Sequence, residues 1–278
     1  MDAPIIFCEG SASSLDIRLL ARLMRGCRPA LFVPVGGKHG LRAFIDGHLA
    51  TRASRPRYLA FRDRDFDVEP PRKQELIHLG GPKPIFLTYR SCVESYLIDA
   101  ELIDLYWAFH NENSLRWGHG GSPGRDAVGS WAQEAARAIA DYQAARWALS
   151  KAKPSQRWPE VRNTWTTGSG DLRPCLSKAA CNEKATSLVQ AYTEVCSLVT
   201  VPKYQAAVER YEAQFASAEF WDNMQYMTWF HGKDLAAAMH RIRPGWISLS
   251  HFCSWAVDHA EWGVPVDLAE LKARILAL

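Results

Sequence analysis

Short apolar segments alternate with helical patterns over the first hundred residues, and this alternation constrains the fold more than any other feature of the chain. The segments are apolar on both faces, which is typical of strands buried in a parallel sheet. The predicted strands cover residues 4–8, 30–35, 57–62 and 84–89. One helix is expected to begin near Ser13 or Ser14 and to end before Gly26, and a second contains Leu41 and Leu49. The pattern predicts an α/β domain with a parallel sheet flanked by helices.

Helical patterns dominate the rest of the chain, and convincing strand patterns disappear. The predicted helices cover residues 92–110, 127–152, 175–200, 203–220, 231–242, 248–261 and 266–277. A connector that contains Trp and Pro is predicted over 154–174. The sequence therefore predicts two domains, an α/β domain at 1–98 and a mostly helical domain at 99–278.

The bulk composition is that of a soluble globular protein, with 47% hydrophobic and 23% charged residues among 278. A net charge of +3 is too small to indicate nucleic-acid binding by itself. No apolar run reaches the roughly 20 residues that a membrane span needs.

The seven cysteines lack CxxC spacing, which favours reduced thiols in a cytoplasmic protein. The 11 Trp residues are interpreted mainly as core or interface anchors, with stacking on nucleic-acid bases as the alternative.

Carboxylates follow three of the predicted strands. Glu9 follows the first strand, Asp63 and Asp65 follow the third, and Glu94 lies a few residues after the fourth. Ligands of open parallel sheets bind beyond the carboxyl ends of the strands, so these side chains are expected at one edge. Convergent carboxylates suit Mg²⁺ or Mn²⁺, ions that prefer oxygen ligands and that promote phosphodiester cleavage. The sequence predicts a metal site there.

The geometry of an extended strand favours a shared ion for the DxD pair. Alternate residues of a strand point to the same side, so Asp63 and Asp65 would face one ion while Arg64 faces away. Asp67 would join them as a further ligand if the strand continued. Each acid taken singly has a structural alternative, as a helix N-cap or a solvated turn residue.

The ordered segments IIFCEG, VPVGGKHG and YLAFRDRD resemble the TOPRIM domain of topoisomerases, primases and OLD-family nucleases, over roughly residues 4–98. The resemblance implies a general acid or base at Glu9 and Mg²⁺ ligands at Asp63 and Asp65. A glycine commonly follows the DxD of topoisomerases within a few residues. Here Phe66 to Glu69 follow instead, which argues against a topoisomerase or a primase.

Two later segments resemble a narrower TOPRIM-like group of bacterial defence loci, which includes the TOPRIM effector subunit of the PARIS anti-phage system. These segments are SCVESYL at 91–97 and WFHGK at 229–233. The resemblance implies further site residues at Glu94 and Lys233, and less strongly at His231. Two structural alternatives stay open, a capping box between Ser91 and Glu94 and an ordinary surface position for Lys233.

A glycine-rich segment after the second strand, VGGKHG at 35–40, does not satisfy the Walker A pattern. Lys38 in this segment is interpreted either as a contact to a nucleic-acid phosphate or as part of a plain turn.

The predicted function is a Mg²⁺- or Mn²⁺-dependent nuclease that hydrolyses DNA or RNA, tRNA included. The alternative is a non-catalytic binding or regulatory subunit that retains a TOPRIM fold. Only a few residues precede the first strand, and no Walker A sequence occurs, so an ATPase is expected on a separate chain. The PARIS resemblance implies an ABC-type ATPase partner, and the aromatic-rich helical half leaves a homodimer open.

Overall fold

A computed structural model describes residues 3–50, 56–153, 178–259 and 263–278. The strands are β1 (Ile5–Cys8), β2 (Leu31–Pro34), β3 (Tyr58–Arg62), β4 (Ile77–His78) and β5 (Ile85–Leu87). The first helices are α1 (Leu15–Leu23), α2 (Leu41–Ala50), α3 (Val93–Leu97), α4 (Ala100–Asn113), α5 (Arg125–Ala138) and α6 (Ala140–Lys151). They are followed by α7 (Lys178–Ser197), α8 (Val201–Ala216), α9 (Ala218–Asp222), α10 (Tyr226–Trp229), α11 (Gly232–Ile242), α12 (Leu249–His259) and α13 (Val266–Ala277).

The strands form one five-stranded sheet in the order β2-β1-β3-β5-β4. Pairing is parallel except between β4 and β5, which are antiparallel. The α/β class and the four predicted strands are therefore confirmed. The two-residue edge strand β4 was not predicted, because so short a segment has no periodicity to detect.

Both faces of the sheet are buried, as the apolar strands predicted. On one face Ile5, Phe7 and Ile85 pack with Leu41 and Ile45 of α2 in a single core cluster. The alternate strand residues point to the opposite face and are also buried. Helix α1 packs against β2 and also against α3 and α12.

Contacts divide the described chain into two compact units. The first contains Met1–Gln143 together with Ser217–Leu278, and the second contains Ala144–Ala216. In the first unit α11 packs on α3 and α5, and α12 packs on α1 and α4. These units do not follow the sequence-based division at residue 98, because the C-terminal helices pack with the sheet-bearing part of the chain.

The second unit has its own small aromatic core. Trp147 and Tyr211 lie with their ring centroids 5.8 Å apart, and Tyr211 lies 6.1 Å from Phe215. Helices α7 and α8 belong to this unit. The connector predicted over residues 154–174 lies outside the described residues.

Most long helical predictions are confirmed, with breaks that the sequence analysis missed. The pattern over 92–110 is split at Ile98 and Asp99, where the Asp99 carboxylate accepts hydrogen bonds from the N–H groups of Glu101 and Leu102 at the start of α4. The prediction that Trp residues anchor the core holds for Trp107 and Trp131, which are buried. No helix in the described parts of the chain combines the length and the apolar character that crossing a bilayer requires.

Candidate metal centre

The carboxyl ends of β1 and β3 lie side by side, because these strands pair in the middle of the sheet with Cys8 opposite Phe61. Glu9 follows β1 directly, and Asp63 follows β3 directly. Glu94 lies in the first turn of α3, shortly after β5. The sheet therefore brings three of the sequence-predicted carboxylates to one edge.

Asp63 is the most buried of these acids, with 7% of its surface exposed. Its Oδ1 atom accepts a hydrogen bond of 3.0 Å from the N–H of Val93, the first residue of α3. Ligand atoms of Asp63, Cys92 and Glu94 all lie within 4.8 Å of one another. Burial and the charges of Asp16 and Glu94 raise the pKa of Asp63 well above its usual range.

Asp16 belongs to the same cluster, and the sequence analysis missed it. It lies in the first turn of α1, and its Oδ1 atom is buried with no hydrogen-bond partner among the described residues. Burial, and after it the charges of Glu94 and Glu9, raise the pKa of Asp16 to about 6. The available signal was position: α1 begins a few residues beyond Glu9, so its first turn lies at the same sheet edge.

Glu9 has one carboxylate oxygen, Oε2, that is buried without a hydrogen-bond partner in the described part of the chain. Burial and the charge of Asp65 raise the pKa of Glu9, while Arg62 and Lys38 partly oppose this rise. The adjoining Gly10 has a φ of +91°, and a Cβ there would lie 2.5 Å from Ser14 Oγ. Glycine at this position lets the chain turn sharply from β1 towards α1.

Asp63 and Asp65 are not alternate residues of one extended strand, as the sequence analysis expected. Strand β3 ends at Arg62, and Asp65 has a left-handed φ of +51°. Asp65 places Oδ2 2.6 Å from Lys38 Nζ and Oδ1 3.2 Å from His231 Nε2. The alternation argument fails at this point, because the backbone turns between Asp63 and Asp65.

Asp65 and Asp67 are paired with basic side chains. Asp67 lies 2.9 Å from Arg62 Nη1 and 3.2 Å from Lys38 Nζ. Burial disfavours the charge on Asp65, but His231 and Lys38 outweigh it and hold the pKa of Asp65 well below its usual range. Asp65 is therefore ionised, and both Asp65 and Asp67 are paired with basic side chains of the chain. Asp63 and Glu94 instead share the compact group with Cys92.

Neither sequence interpretation of Lys38 anticipated these contacts. Lys38 begins a single 3-10 turn after Gly37 and directs its ammonium group to Asp65 and Asp67. Burial would lower the pKa of Lys38, but Asp65 and Asp67 raise it. The lysine is a fixed counter-ion of the carboxylate edge.

The segment His231-Gly232-Lys233 reaches this edge from the start of α11. Lys233 Nζ lies 3.6 Å from Glu94 Oε1, so the lysine is close to the cluster as predicted. Gly232 permits this approach, because a Cβ there would lie 2.5 Å from the backbone nitrogen of Ser95. A close glycine contact therefore joins α11 to α3 and positions Lys233.

The capping box between Ser91 and Glu94, which the sequence analysis left open as an alternative, is not formed. The N-cap of α3 is Cys92, without a side-chain cap hydrogen bond. Ser91 Oγ instead donates to the carbonyl of Phe230 at 2.8 Å and lies 2.9 Å from Ser95 Oγ. The buried N–H of Val93 at the helix start donates to Asp63 instead, so Glu94 has no part in capping α3.

His231 contacts Gln143, Phe66 and Asp65. Its backbone N–H donates to Gln143 Oε1 at 3.0 Å, and its ring stacks on Phe66 at 5.9 Å. Its Nδ1 atom is buried and has no hydrogen-bond partner among the residues that the structure describes. This packing fixes the imidazole against Asp65.

Among the residues that the structure describes, the carboxylates at this edge outnumber the cations placed on them. The acids are Glu9, Asp16, Asp63, Asp65, Asp67 and Glu94, and the permanent cations on them are Lys38, Arg62 and Lys233. The raised pKa values fall on Glu9, Asp16 and Asp63. Ionisation of these three acids is therefore disfavoured without a further cation, and a cation bound beside them would stabilise their ionised forms.

Comparisons with known proteins do not assign the chain: no family model matches it, and no curated protein does. The fold and the site define the class by themselves. The protein is an α/β protein with a buried carboxylate cluster at the carboxyl edge of a mostly parallel sheet.

Proposed function

We propose that this protein is a divalent-metal-dependent nuclease that hydrolyses phosphodiester bonds in DNA or RNA. The observation that carries the proposal is the convergence of Glu9, Asp16, Asp63 and Glu94 at one sheet edge, with less positive charge than negative. Such acids are costly to bury, and groups with pKa values perturbed in this way cluster at functional sites.

The donor set fits a hard cation. Glu9 Oε2 and Asp16 Oδ1 are buried oxygens without hydrogen-bond partners in the described chain. Carboxylate oxygens are the protein ligands that Mg²⁺ and Mn²⁺ prefer. Burial and the charges of Asp63 and Glu94 raise the pKa of the Cys92 thiol, so the thiol is neutral in the metal-free protein. Asp63 and Glu94 are the first candidate ligands, with Glu9 and Asp16 beside them.

A bound ion would supply Lewis-acid polarisation of a phosphate oxygen and an acidified water. The chain supplies the remaining functions. Glu9, whose pKa is raised by burial and by the charge of Asp65, is suited to accept or return a proton. Lys233, which is 63% exposed beside Glu94, can bind a phosphate oxygen of the substrate. Asp65 holds Lys38 and His231 in place at the far side of the cluster.

The TOPRIM resemblance is the second support for this function. It rests on Glu9 after β1 and on the DxD after β3, two strands that are neighbours in the sheet. The resemblance to PARIS-type effectors extends the proposal to an anti-phage role under the control of a separate ABC-type ATPase. Affinity purification of the tagged protein from its native host tests that extension, which fails if the protein is isolated alone and is active and harmless when expressed alone.

A direct nuclease assay tests the proposal. Purified protein is incubated with plasmid DNA, single-stranded DNA and tRNA, each with EDTA, Mg²⁺ or Mn²⁺. We expect cleavage of at least one substrate that depends on the metal and is lost in Glu9→Gln. Asp46→Asn serves as the matched control, because Asp46 pairs with Lys83 on the exposed side of α2. Absence of cleavage on all three substrates, or cleavage unaffected by Glu9→Gln, would refute the proposal.

A non-catalytic binding or regulatory subunit is the second candidate. The observation that favours it is the occupation of both Asp65 oxygens by Lys38 and His231, which removes one member of the DxD pair from the compact ligand group. Calorimetric titration with Mn²⁺ separates the two functions. The catalytic proposal expects binding that Asp63→Asn weakens, and the scaffold alternative expects no binding.

A further inference from the structure

An apolar pocket adjoins the carboxylate cluster on the side of α11. Its volume is about 410 Å³, and it is shared among α1, α11 and α12. Its apolar walls are Leu15, Ala236, Leu249 and Cys253. Glu94 and Lys233 line it as well, so the pocket and the candidate metal centre share one boundary.

A set of hydrogen bonds between α1 and α12, termed the clamp, fixes the distance between these two walls of the pocket. Arg18 of α1 donates through Nη1 to Ser254 Oγ at 2.7 Å and through Nε to Asp258 Oδ1 at 3.2 Å, both in α12. Arg22 adds a further hydrogen bond to the carbonyl of Asp258. Because α1 also carries Asp16, the clamp links the pocket wall to the carboxylate cluster.

The lining combines apolar groups with a thiol, two hydroxyl groups and the charged residues Arg18, Glu94 and Lys233. Burial, and after it the charge of Glu94, raises the pKa of Cys253 to about 12, so its thiol is uncharged. Ser250 and Ser254 supply hydroxyl groups, and Lys233 and Arg18 place positive charge at the margins. Apolar walls with a few polar groups are the usual lining of a pocket that holds a small ligand.

We propose that this pocket receives the base of an unpaired nucleotide whose phosphate lies at the carboxylate cluster. The inference rests on the proposed nuclease function and adds its substrate class, a single-stranded or unpaired segment of nucleic acid. A volume of about 410 Å³ lies within the range of small-ligand pockets. A protein partner would need some 20 to 30 contacting residues on each side, far more than this pocket offers.

Base pairing decides which nucleic acids can use the pocket, because only unpaired bases are free to enter it. A base inside a duplex is stacked and paired, so it can enter a pocket between protein helices only after it has left the duplex. An unpaired base has no such cost, and apolar contact with its flat face tolerates any sequence. The pocket therefore favours unpaired nucleotides and is indifferent to most base identities.

Two filling variants test the inference. Ala236→Phe places a ring in the pocket, and Ser250→Trp blocks its exposed rim. Ala237→Phe is the matched control, since Ala237 is the next residue of α11, is exposed, and does not line this pocket. Thermal melting verifies that each variant is folded.

The probes are a fluorescein-labelled dT12 strand, the same strand as a dA12·dT12 duplex, and rU12, with Ca²⁺ in place of Mg²⁺. We expect the wild type and Ala237→Phe to bind the single strands at least tenfold more tightly than the duplex. Both filling variants should lose at least tenfold of single-strand affinity. Equal affinity for duplex and single strand, or filling variants that bind like the wild type, would overturn the inference.

Mn²⁺ binding separates this inference from the proposed function. The filling variants should keep wild-type Mn²⁺ affinity, because the ion does not bind in the pocket. If the wild type neither binds Mn²⁺ nor cleaves any diester, the proposed function fails. If it does both and the filling variants still bind dT12 and rU12 normally, the pocket inference alone fails.

Discussion

The imidazole Nε2 of His231 lies 3.2 Å from Oδ1 of Asp65, although 166 positions separate the two residues in the chain. The contact joins the start of α11 to the turn after β3. Lys233, two positions later, reaches Glu94 from the same helix end. The carboxylate edge is therefore completed by residues from the C-terminal helices.

Replacement of Glu9 by Gln is expected to reduce metal-dependent cleavage by about 100-fold or more, the usual contribution of a general acid or base. The variant should fold, because Gln keeps the volume of Glu and removes a buried charge with one unpartnered oxygen among the described residues. Cleavage rates and thermal melting measure the two effects. Activity within tenfold of the wild type would contradict the role of Glu9.

Asp63→Asn should weaken Mn²⁺ binding at least tenfold in a calorimetric titration. The amide oxygen of Asn can still accept the hydrogen bond from the N–H of Val93, so the start of α3 is preserved. Asp65→Asn should weaken binding less, because Asp65 is engaged by Lys38 and His231 and lies outside the compact ligand group. The reverse order of effects would place the ion at Asp65.

The metal-free protein should lose stability as the pH rises from about 4 to about 6. The pKa of Asp16 is raised from 3.8 to about 6 in the folded state, so the folded protein retains a proton that the unfolded chain has released. Protons bound preferentially to the folded state stabilise it, and that stabilisation disappears as the pH rises through this window. Urea unfolding in EDTA across this range provides the measurement.

Asp16→Asn is the matched variant for the pH experiment, because an amide does not titrate. It should be more stable than the wild type at pH 7 by about 1–3 kcal/mol, and the difference should vanish below pH 4. Added Mn²⁺ should stabilise the wild type more than the variant at pH 7. If the free energies of unfolding of the two proteins change in parallel with pH, folding does not raise the pKa of Asp16.

Gly232→Ala should destabilise the fold by about 1–3 kcal/mol, since the new methyl group would overlap the backbone nitrogen of Ser95 and force α11 away from α3. Gly129→Ala is the control, because Gly129 lies inside α5 with open space around its Cβ position. That change should stabilise the protein by about 0.5–1 kcal/mol. Urea unfolding of both variants compares them, and equal effects would contradict the close contact at Gly232.

The sequence by itself determined the sheet and part of the site. Strands β1, β2, β3 and β5 were predictable because segments such as IIFC and YLAF are apolar on both faces, which a parallel sheet requires. Glu9, Asp63 and Glu94 were predictable because they follow such strands, and parallel strands deliver their carboxyl ends to a common edge. These inferences need only local pattern and sheet topology.

The tertiary structure decided how the charges are shared. A helix-start acid such as Asp16 looks ordinary in sequence, and only the packing of α1 beside the edge makes it a member of the cluster. The separation of Asp63 from Asp65 depends on a left-handed φ at Asp65, which no strand pattern predicts. The pairing of Asp65 with Lys38 and His231 depends on where a loop and a distant helix pack. Local sequence specifies the strands and their flanking acids, but charge partners come from long-range packing, which has no signature in a single segment of chain.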